Sequence, residues 1–217
     1  MLSQAQIIER AREFVYQTLS GEGSGHDWWH IERVARMAVN LAEKEGADVF
    51  ICELAALLHD MVDDKLTKNE AEALQNVKDW LTEHDVPSSD SAHIMDIITK
   101  MSFKGGNQTD KVSTLEGYVV QDADRLDAMG AIGIARVMCY SGHVNRPIHD
   151  PSMTPRDNLT FKEYRSSKDT AIMHFYEKLL TLKERMNTDS ARALAQERHD
   201  FLLLYLEQFY AEWEGKR

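Results

Sequence analysis

Two histidines and a small group of aspartates are the residues of this chain whose side chains are best suited to bind a metal or take part in a reaction. They are His30, the adjacent pair His59 and Asp60, and the aspartates of the acidic segment 122–127. Imidazole nitrogens and carboxylate oxygens are the ligands that borderline and hard divalent cations take from proteins. A cation held by them would polarise a phosphoryl oxygen and acidify a bound water. The sequence therefore indicates a metal site, provided that these side chains converge in space.

The residues alone leave alternatives open. A His-Asp pair at the end of an apolar helix needs a partner, which is either a cation or a network of hydrogen bonds. Within the acidic segment, Asp124 and Asp127 share a helical face, whereas Asp122 points nearly the opposite way. Only one of these faces is expected to look into the core, and spacing does not decide which. The whole segment could instead be a solvated acidic face.

Helical periodicity dominates the chain and predicts an all-α fold. A helix over 27–45 carries His30 and is expected to stop at Gly46. The next helix, from Asp48, is apolar almost all round, which is typical of a helix in the middle of a core. It delivers His59 and Asp60 at its buried end.

The second half of the chain is predicted to be helical as well. A capping box at Ser113 opens a helix that is expected to run through Cys139. The irregular stretch 141–160 contains three prolines together with Arg146 and Arg156, and we expect it to cover the substrate. Two long helices are expected to close the chain. We predict a single domain, 1–217, with the metal-site core at about 26–130 and the C-terminal helices of 165–214 packed on it.

Composition excludes several classes of protein. The 217 residues carry a formal net charge of −11, which argues against a sequence-independent grip on DNA or RNA. No apolar run approaches the length of a membrane span, and no signal peptide is visible, so we expect a cytoplasmic protein. Cys52 and Cys139 lie in apolar contexts and are expected to be buried, reduced thiols.

Longer stretches around these residues resemble the HD-domain superfamily of metal-dependent phosphohydrolases, and more narrowly its small stand-alone bacterial members. The resemblance spans nearly the whole chain. It rests on the order His30, His59-Asp60 and a later aspartate, and on four stretches: Gly25-His-Asp-Trp-Trp-His-Ile-Glu-Arg-Val34, Ala55-Ala-Leu-Leu-His-Asp60, Gln121-Asp-Ala-Asp-Arg-Leu-Asp-Ala128 and His174-Phe-Tyr-Glu-Lys-Leu-Leu180.

The resemblance implies that one divalent metal is held by His30, His59, Asp60 and Asp124. Asp124 is taken because it sits in an Ala-Asp dipeptide followed by a basic residue, as in the family, and Asp127 is the reserve. Members with two metals carry further histidines close behind the doublet, which are missing here. Four ligands of this type suit Mn²⁺, Mg²⁺, Fe²⁺ or Ni²⁺ better than a closed structural zinc site, and we expect Mn²⁺.

Further residues could act on a phosphorylated substrate. Asp63 and Lys65 follow the doublet and are the candidates for catalysis. Asp63 is placed to hydrogen-bond a metal-bound water or a ligand imidazole, and the alternative is an exposed loop acid. Basic residues could neutralise phosphate oxygens, and the candidates for substrate binding are Arg33, Lys65, Lys104, Arg125 and Arg165.

The resemblance implies a phosphohydrolase that acts on a small phosphorylated molecule, most readily a nucleoside triphosphate cleaved to monophosphate and pyrophosphate. One alternative is a nucleotidase that releases phosphate from monophosphates. Another is a nucleotide-sensing module without activity, and a third is a helical scaffold with no ligand. Neither a nucleic-acid polymer nor a membrane is expected as a partner. A homodimer is kept as an option, because the sequence does not determine the oligomeric state.

Overall fold

In the computed structural model, residues 2–19, 27–62, 69–101, 112–156 and 169–217 are described. Helices account for the regular structure of these residues, which contain no strand. The prediction of an all-α fold is confirmed. The helices are α1 (Gln4–Leu19), α2 (Trp28–Glu45), α3 (Val49–Leu58), α4 (Glu70–Glu83), α5 (Ser88–Met101), α6 (Leu115–Asp127), α7 (Gly130–His143), α8 (Ala171–Glu177) and α9 (Asp189–Trp213).

Three 3₁₀ turns complete the regular structure of the described residues: His59–Val62, Leu179–Thr181 and Lys183–Arg185. The chain divides into two compact units, Met1–Asp124 and Arg125–Arg217. Whether the two units make one domain, as the sequence predicts, stays a prediction. Among the described residues, no helix is long and apolar enough to cross a membrane.

The first unit is built around α3. This helix packs against α1, α2 and α5, and all of its residues except Val49 and Glu53 are buried. Its apolar surface on every side explains this central position, as the sequence predicted. Helix α2 ends where predicted, at Gly46, whose φ of 74° is a left-handed conformation that favours glycine.

Side-chain caps fix where the helices begin. Asp27 accepts a hydrogen bond from the backbone N–H of His30, and Asp48 accepts one from the backbone N–H of Ile51. Each carboxylate satisfies a donor that the first turn would otherwise leave unpaired. The cap of α6 lies one residue later than predicted, because Thr114 Oγ1 rather than Ser113 accepts from Gly117 N–H.

The helix predicted to run from Ser113 through Cys139 is broken. Helix α6 ends at Asp127, and α7 begins at Gly130, whose φ of +65° is left-handed. A left-handed residue cannot continue a right-handed helix, and glycine adopts this conformation without strain. The prediction of one continuous helix was therefore wrong at Ala128–Gly130. The prediction of buried cysteines was half right, since Cys52 is buried and Cys139 is exposed.

Helices α7 and α9 form the framework of the second unit, and α8 packs on α7. Of the two long closing helices predicted, only α9 is long; α8 has seven residues and gives way to the 3₁₀ turns. The predicted irregular stretch begins only at Val144, because α7 extends to His143.

Candidate metal centre

The buried end of α3 supplies two of the candidate ligands. At His59 the chain passes from α-helix into a 3₁₀ turn, so that His59 and Asp60 both point into the protein, each with 5% exposure. His59 Nδ1 lies 2.7 Å from the carbonyl oxygen of Ala56. A carbonyl only accepts, so Nδ1 carries the proton and Nε2 keeps its lone pair for a ligand.

Helix α2 supplies the third candidate, His30. This side chain is buried and its ring centroid lies 5.5 Å from that of His59, with the two rings steeply inclined to each other. His30 Nε2 lies 3.4 Å from Asp60 Oδ2, and His59 Nε2 lies 3.2 Å from Asp60 Oδ1. Ligand atoms of all three residues lie within 4.8 Å of one another, which is close enough for one ion.

Helix α6 brings Asp124 to the same place. Its Oδ1 lies 3.5 Å from His30 Nε2 and 3.9 Å from His59 Nε2. The Asp124 side chain is 40% exposed, whereas the other three are almost completely buried. Asp124 therefore marks the side of the cluster that solvent and a substrate can reach.

The alternative aspartates of α6 lie elsewhere. Asp127 is an ion-pair partner of Arg136, with 3.0 Å between Asp127 Oδ2 and Arg136 Nη1. Asp122 is completely buried and Asp127, on the other face, is buried as well, although the sequence predicted that only one of the two faces would look into the core. That prediction was wrong because α6 is surrounded: Val119, Asp122, Ala123 and Leu126 are all without exposure.

The donor set fits a divalent cation. Two imidazole nitrogens and two carboxylates face one another in a mostly buried volume, where unshielded oxygen atoms and nitrogen lone pairs repel. A divalent ion among them would relieve that repulsion and is of the type that His₂Asp₂ sets select. These are the residues that the resemblance implied, and the structure brings all of them together.

The described part of the chain includes only two of the candidate catalytic and substrate-binding residues, Arg33 and Arg125. Arg33 is half-buried on α2, one turn after His30. Arg125 donates to the backbone carbonyl of Arg185 within the second unit, which holds its guanidinium. Asp63, Lys65, Lys104 and Arg165 lie outside the described residues. All six stay predictions.

The structure also identifies groups that the sequence reasoning missed. The carbonyl of Ala56 fixes the tautomer of His59, and no side-chain pattern could reveal a backbone acceptor. Asp27 caps the turn that carries His30, and its position directly before an amphipathic helix is a signal that could have identified it.

Arg146 and Arg156 of the predicted substrate-covering stretch bind carboxylates of their own unit. Arg146 Nε lies 3.0 Å from Asp169 Oδ1, where burial raises the pKa of Asp169 and the arginine opposes that rise. Arg156 makes a two-pronged contact with Glu177, whose side chain has no exposure. Both arginines therefore anchor the stretch, which removes the charge argument for a substrate-covering role.

Comparison with known proteins agrees with this geometry. The family model of the HD domain matches residues 28–129 of this chain. YpgQ of Bacillus subtilis is 40% identical over 215 residues, which are 99% of this chain and 97% of YpgQ. The crystal structure of YpgQ in complex with ADP is similar with a TM-score of 0.79 and 38% identity, covering 97% of both chains.

An HD-superfamily hydrolase from Bacillus thuringiensis is similar over 98% of this chain and 99% of its own, with a TM-score of 0.78 and 43% identity. The match includes the helices that carry all four candidate ligands, and it extends far beyond the ligands themselves. The chain therefore belongs to the HD-domain superfamily of hydrolases.

Proposed function

We propose that this protein is a phosphohydrolase that uses one divalent metal ion, Mn²⁺, to cleave a nucleoside triphosphate into monophosphate and pyrophosphate. The observation that carries the proposal is the convergence of His30, His59, Asp60 and Asp124. Their nearest ligand atoms are 3.2–3.9 Å apart, although they come from two helices, α2 and α6, and the 3₁₀ turn that follows α3.

Each residue has a definite part in this proposal. His30 and His59 would offer Nε2, and the bond from His59 Nδ1 to Ala56 holds that ring in the required orientation. Asp60 and Asp124 would offset the charge of the cation. A bound cation supplies a Lewis acid for the phosphoryl oxygen and an acidified water. Four protein ligands leave coordination positions for that water and for substrate.

The different burial of the four side chains indicates the side from which substrate would approach. Asp124 is the exposed member of the cluster, so the phosphate would enter on its side. Arg33 and Arg125 are proposed to bind phosphate oxygens, together with Lys65, Lys104 and Arg165. Asp63 and Lys65 are proposed as catalytic groups, the first to orient the attacking water and the second to offset developing charge.

A nucleotide is the proposed substrate because the similar protein YpgQ was crystallised in complex with ADP. The negative charge of the whole chain does not oppose this, since local basic residues beside a cation can hold phosphates in an acidic protein. Cytoplasmic location stays a prediction from the sequence, and a homodimer stays an option that the sequence does not decide.

A product analysis tests the proposal. Metal-stripped protein is incubated with nucleoside mono-, di- and triphosphates in Mn²⁺, Mg²⁺ or Ni²⁺, and the products are separated by ion exchange. We expect equal amounts of monophosphate and pyrophosphate from triphosphates, fastest with Mn²⁺. Release of phosphate from monophosphates would indicate a nucleotidase instead. Saturable nucleotide binding without any turnover would indicate a sensing module.

A further inference from the structure

A second candidate binding site lies between α1 and α2, within the first unit. It is a groove of about 370 Å³, open to solvent. We call it the α1–α2 groove, and its lining residues are Glu9, Arg12, Glu13, Tyr16, Trp28, Trp29 and Glu32. None of these residues belongs to the candidate metal centre.

The groove and the metal centre lie on different sides of α2. Successive residues of a helix are rotated by about 100°, so His30 and Glu32 diverge by about 160°. His30 is buried toward Asp60, whereas Glu32 is buried beneath Arg12 of α1. Trp29 lies between them on the solvent side, with 61% exposure. A ligand in the groove would therefore not contact the metal ligands.

The charge of the groove favours a cation. Arg12 forms ion pairs with Glu32 and with Glu53, so its own charge is already compensated. Arg36 binds Glu32 from the other side. Glu9 and Glu13, both exposed, then give the rim a negative charge. Phosphates would be repelled there, and a positively charged group would be attracted.

Aromatic rings form the remaining surface. Tyr16 and Trp28 meet edge to face, with ring centroids 5.6 Å apart. Tyr16 is 51% exposed and Trp29 is 61% exposed, so large ring surfaces face the solvent beside the two carboxylates. Ring faces next to carboxylates recognise cations, and guanidinium stacks on tryptophan and tyrosine better than ammonium does.

We propose that the α1–α2 groove binds an arginine-containing segment of a partner protein. The groove is shallow and open rather than enclosed, which suits side chains presented by a segment that lies on the surface. From Glu9 to Tyr16, α1 rises about 10 Å, a length that about three residues of extended peptide cover. The groove thus matches one or two arginine side chains on a short, exposed segment.

The test is a calorimetric titration of the whole protein with the peptide acetyl-Gly-Arg-Gly-Arg-Gly-amide. The matched peptide carries citrulline, which is neutral and nearly the same shape, in place of both arginines. We expect saturable binding of the arginine peptide and at least tenfold weaker binding of the citrulline peptide. Equal binding of both peptides, or none up to millimolar concentration, would overturn the proposal.

Variants locate the binding. Trp29→Ala and Glu13→Gln should each weaken the arginine peptide by about fivefold to tenfold, as expected for the loss of one cation–π or charge contact. Trp213→Ala and Glu83→Gln are the controls, because both residues are exposed and lie outside the groove. Equal losses in the controls would contradict the assignment. Thermal melts verify that each variant is folded.

Two further measurements separate this proposal from the proposed enzymatic function and from a site for a small organic cation. Trp29→Ala should leave Mn²⁺ affinity unchanged, because Trp29 does not belong to the candidate metal centre. The peptide titration needs no turnover, so a failure of the proposed enzymatic function would not affect this test. Free arginine amide should bind at least tenfold more weakly than the peptide. If it binds as tightly, the groove takes a small organic cation, and the proposal of a protein partner is wrong.

Discussion

His30 Nε2 lies 3.5 Å from Asp124 Oδ1, although the two residues are carried by different helices, α2 and α6. The histidine is almost fully buried and the carboxylate is 40% exposed. This pair therefore joins the closed interior of the cluster to its open side. A cation bound between these atoms would be held from within and reached from outside, which is the arrangement that hydrolysis requires.

Among the candidate ligands, loss of Asp60 should have the largest effect on metal binding and turnover. Its carboxylate lies within 3.4 Å of both imidazoles and has little exposure. We expect Asp60→Ala or His59→Ala to abolish stoichiometric Mn²⁺ binding and turnover, because the remaining ligands no longer enclose the ion. Metal content after dialysis and activity are the measurements. Asp79→Ala, on the exposed face of α4, is the control and should match the parent. A folded and fully active Asp60→Ala variant would contradict the assignment of Asp60 as a metal ligand.

The three aspartates of α6 should respond in three different ways. Asp124→Asn should weaken Mn²⁺ binding by about tenfold or more with little change in the free energy of unfolding, because this side chain is partly exposed. Asp127→Asn should cost about 1–3 kcal/mol of stability through Arg136 and leave the metal bound. Asp122→Asn should destabilise the fold, because a carboxylate without exposure is kept in the interior by partners that a neutral amide does not replace. Metal titration and urea unfolding distinguish the three, and metal loss in Asp127→Asn alone would show that Asp124 is not the ligand.

The contact between Arg156 and Glu177 should be an important source of stability in the second unit. Arg156→Ala leaves a carboxylate without exposure and without its two-pronged partner, which should cost about 3 kcal/mol. Arg192→Ala breaks an exposed pair with Asp189 and should cost less than about 1 kcal/mol. Urea unfolding of both variants makes the comparison. Equal stability losses would mean that the buried pair contributes nothing beyond a surface contact.

Gly130 should be sensitive to a single added methyl group. Its φ of +65° strains any L side chain, and a Cβ would lie 3.1 Å from Arg198 Cγ. Gly130→Ala should therefore lower stability by about 1–2 kcal/mol. Gly142→Ala, in the last turn of α7 with nothing within 4 Å of a Cβ, should be neutral or raise stability by up to about 1 kcal/mol. A calorimetric melt that ranks the two variants in the opposite order would contradict the left-handed assignment.

The sequence predicted the helices that lead to the candidate ligands better than it predicted the surroundings of those ligands. The apolar periodicity of α2 and α3, with Asp48 and Gly46 at their ends, is a local property, so both helices were predicted within a residue or two. The burial of Asp122 was not predictable, because it depends on which elements surround α6. The break at Gly130 was missed for a related reason: a glycine inside a helical pattern is tolerated or breaks the helix according to its tertiary contacts.

Backbone acceptors and long-range ion pairs were outside the reach of the sequence. Nothing in the pattern indicates that Ala56 would orient His59, or that Arg156 would bind Glu177 rather than a phosphate. A basic residue near a proline-rich stretch looks the same in both cases. Only the burial of its partner separates an anchoring arginine from a substrate contact.

The most direct measurement of the central claim is the turnover of a nucleoside triphosphate by metal-free protein that has first been loaded with increasing amounts of Mn²⁺. Unbound metal is removed before the triphosphate, which itself binds Mn²⁺, is added. Pyrophosphate formation should rise linearly and reach a plateau at one Mn²⁺ per chain. In Asp60→Ala it should stay at the background. Absence of any hydrolysis at every ratio of metal to protein, or turnover that persists when all metal is chelated, would contradict the central claim.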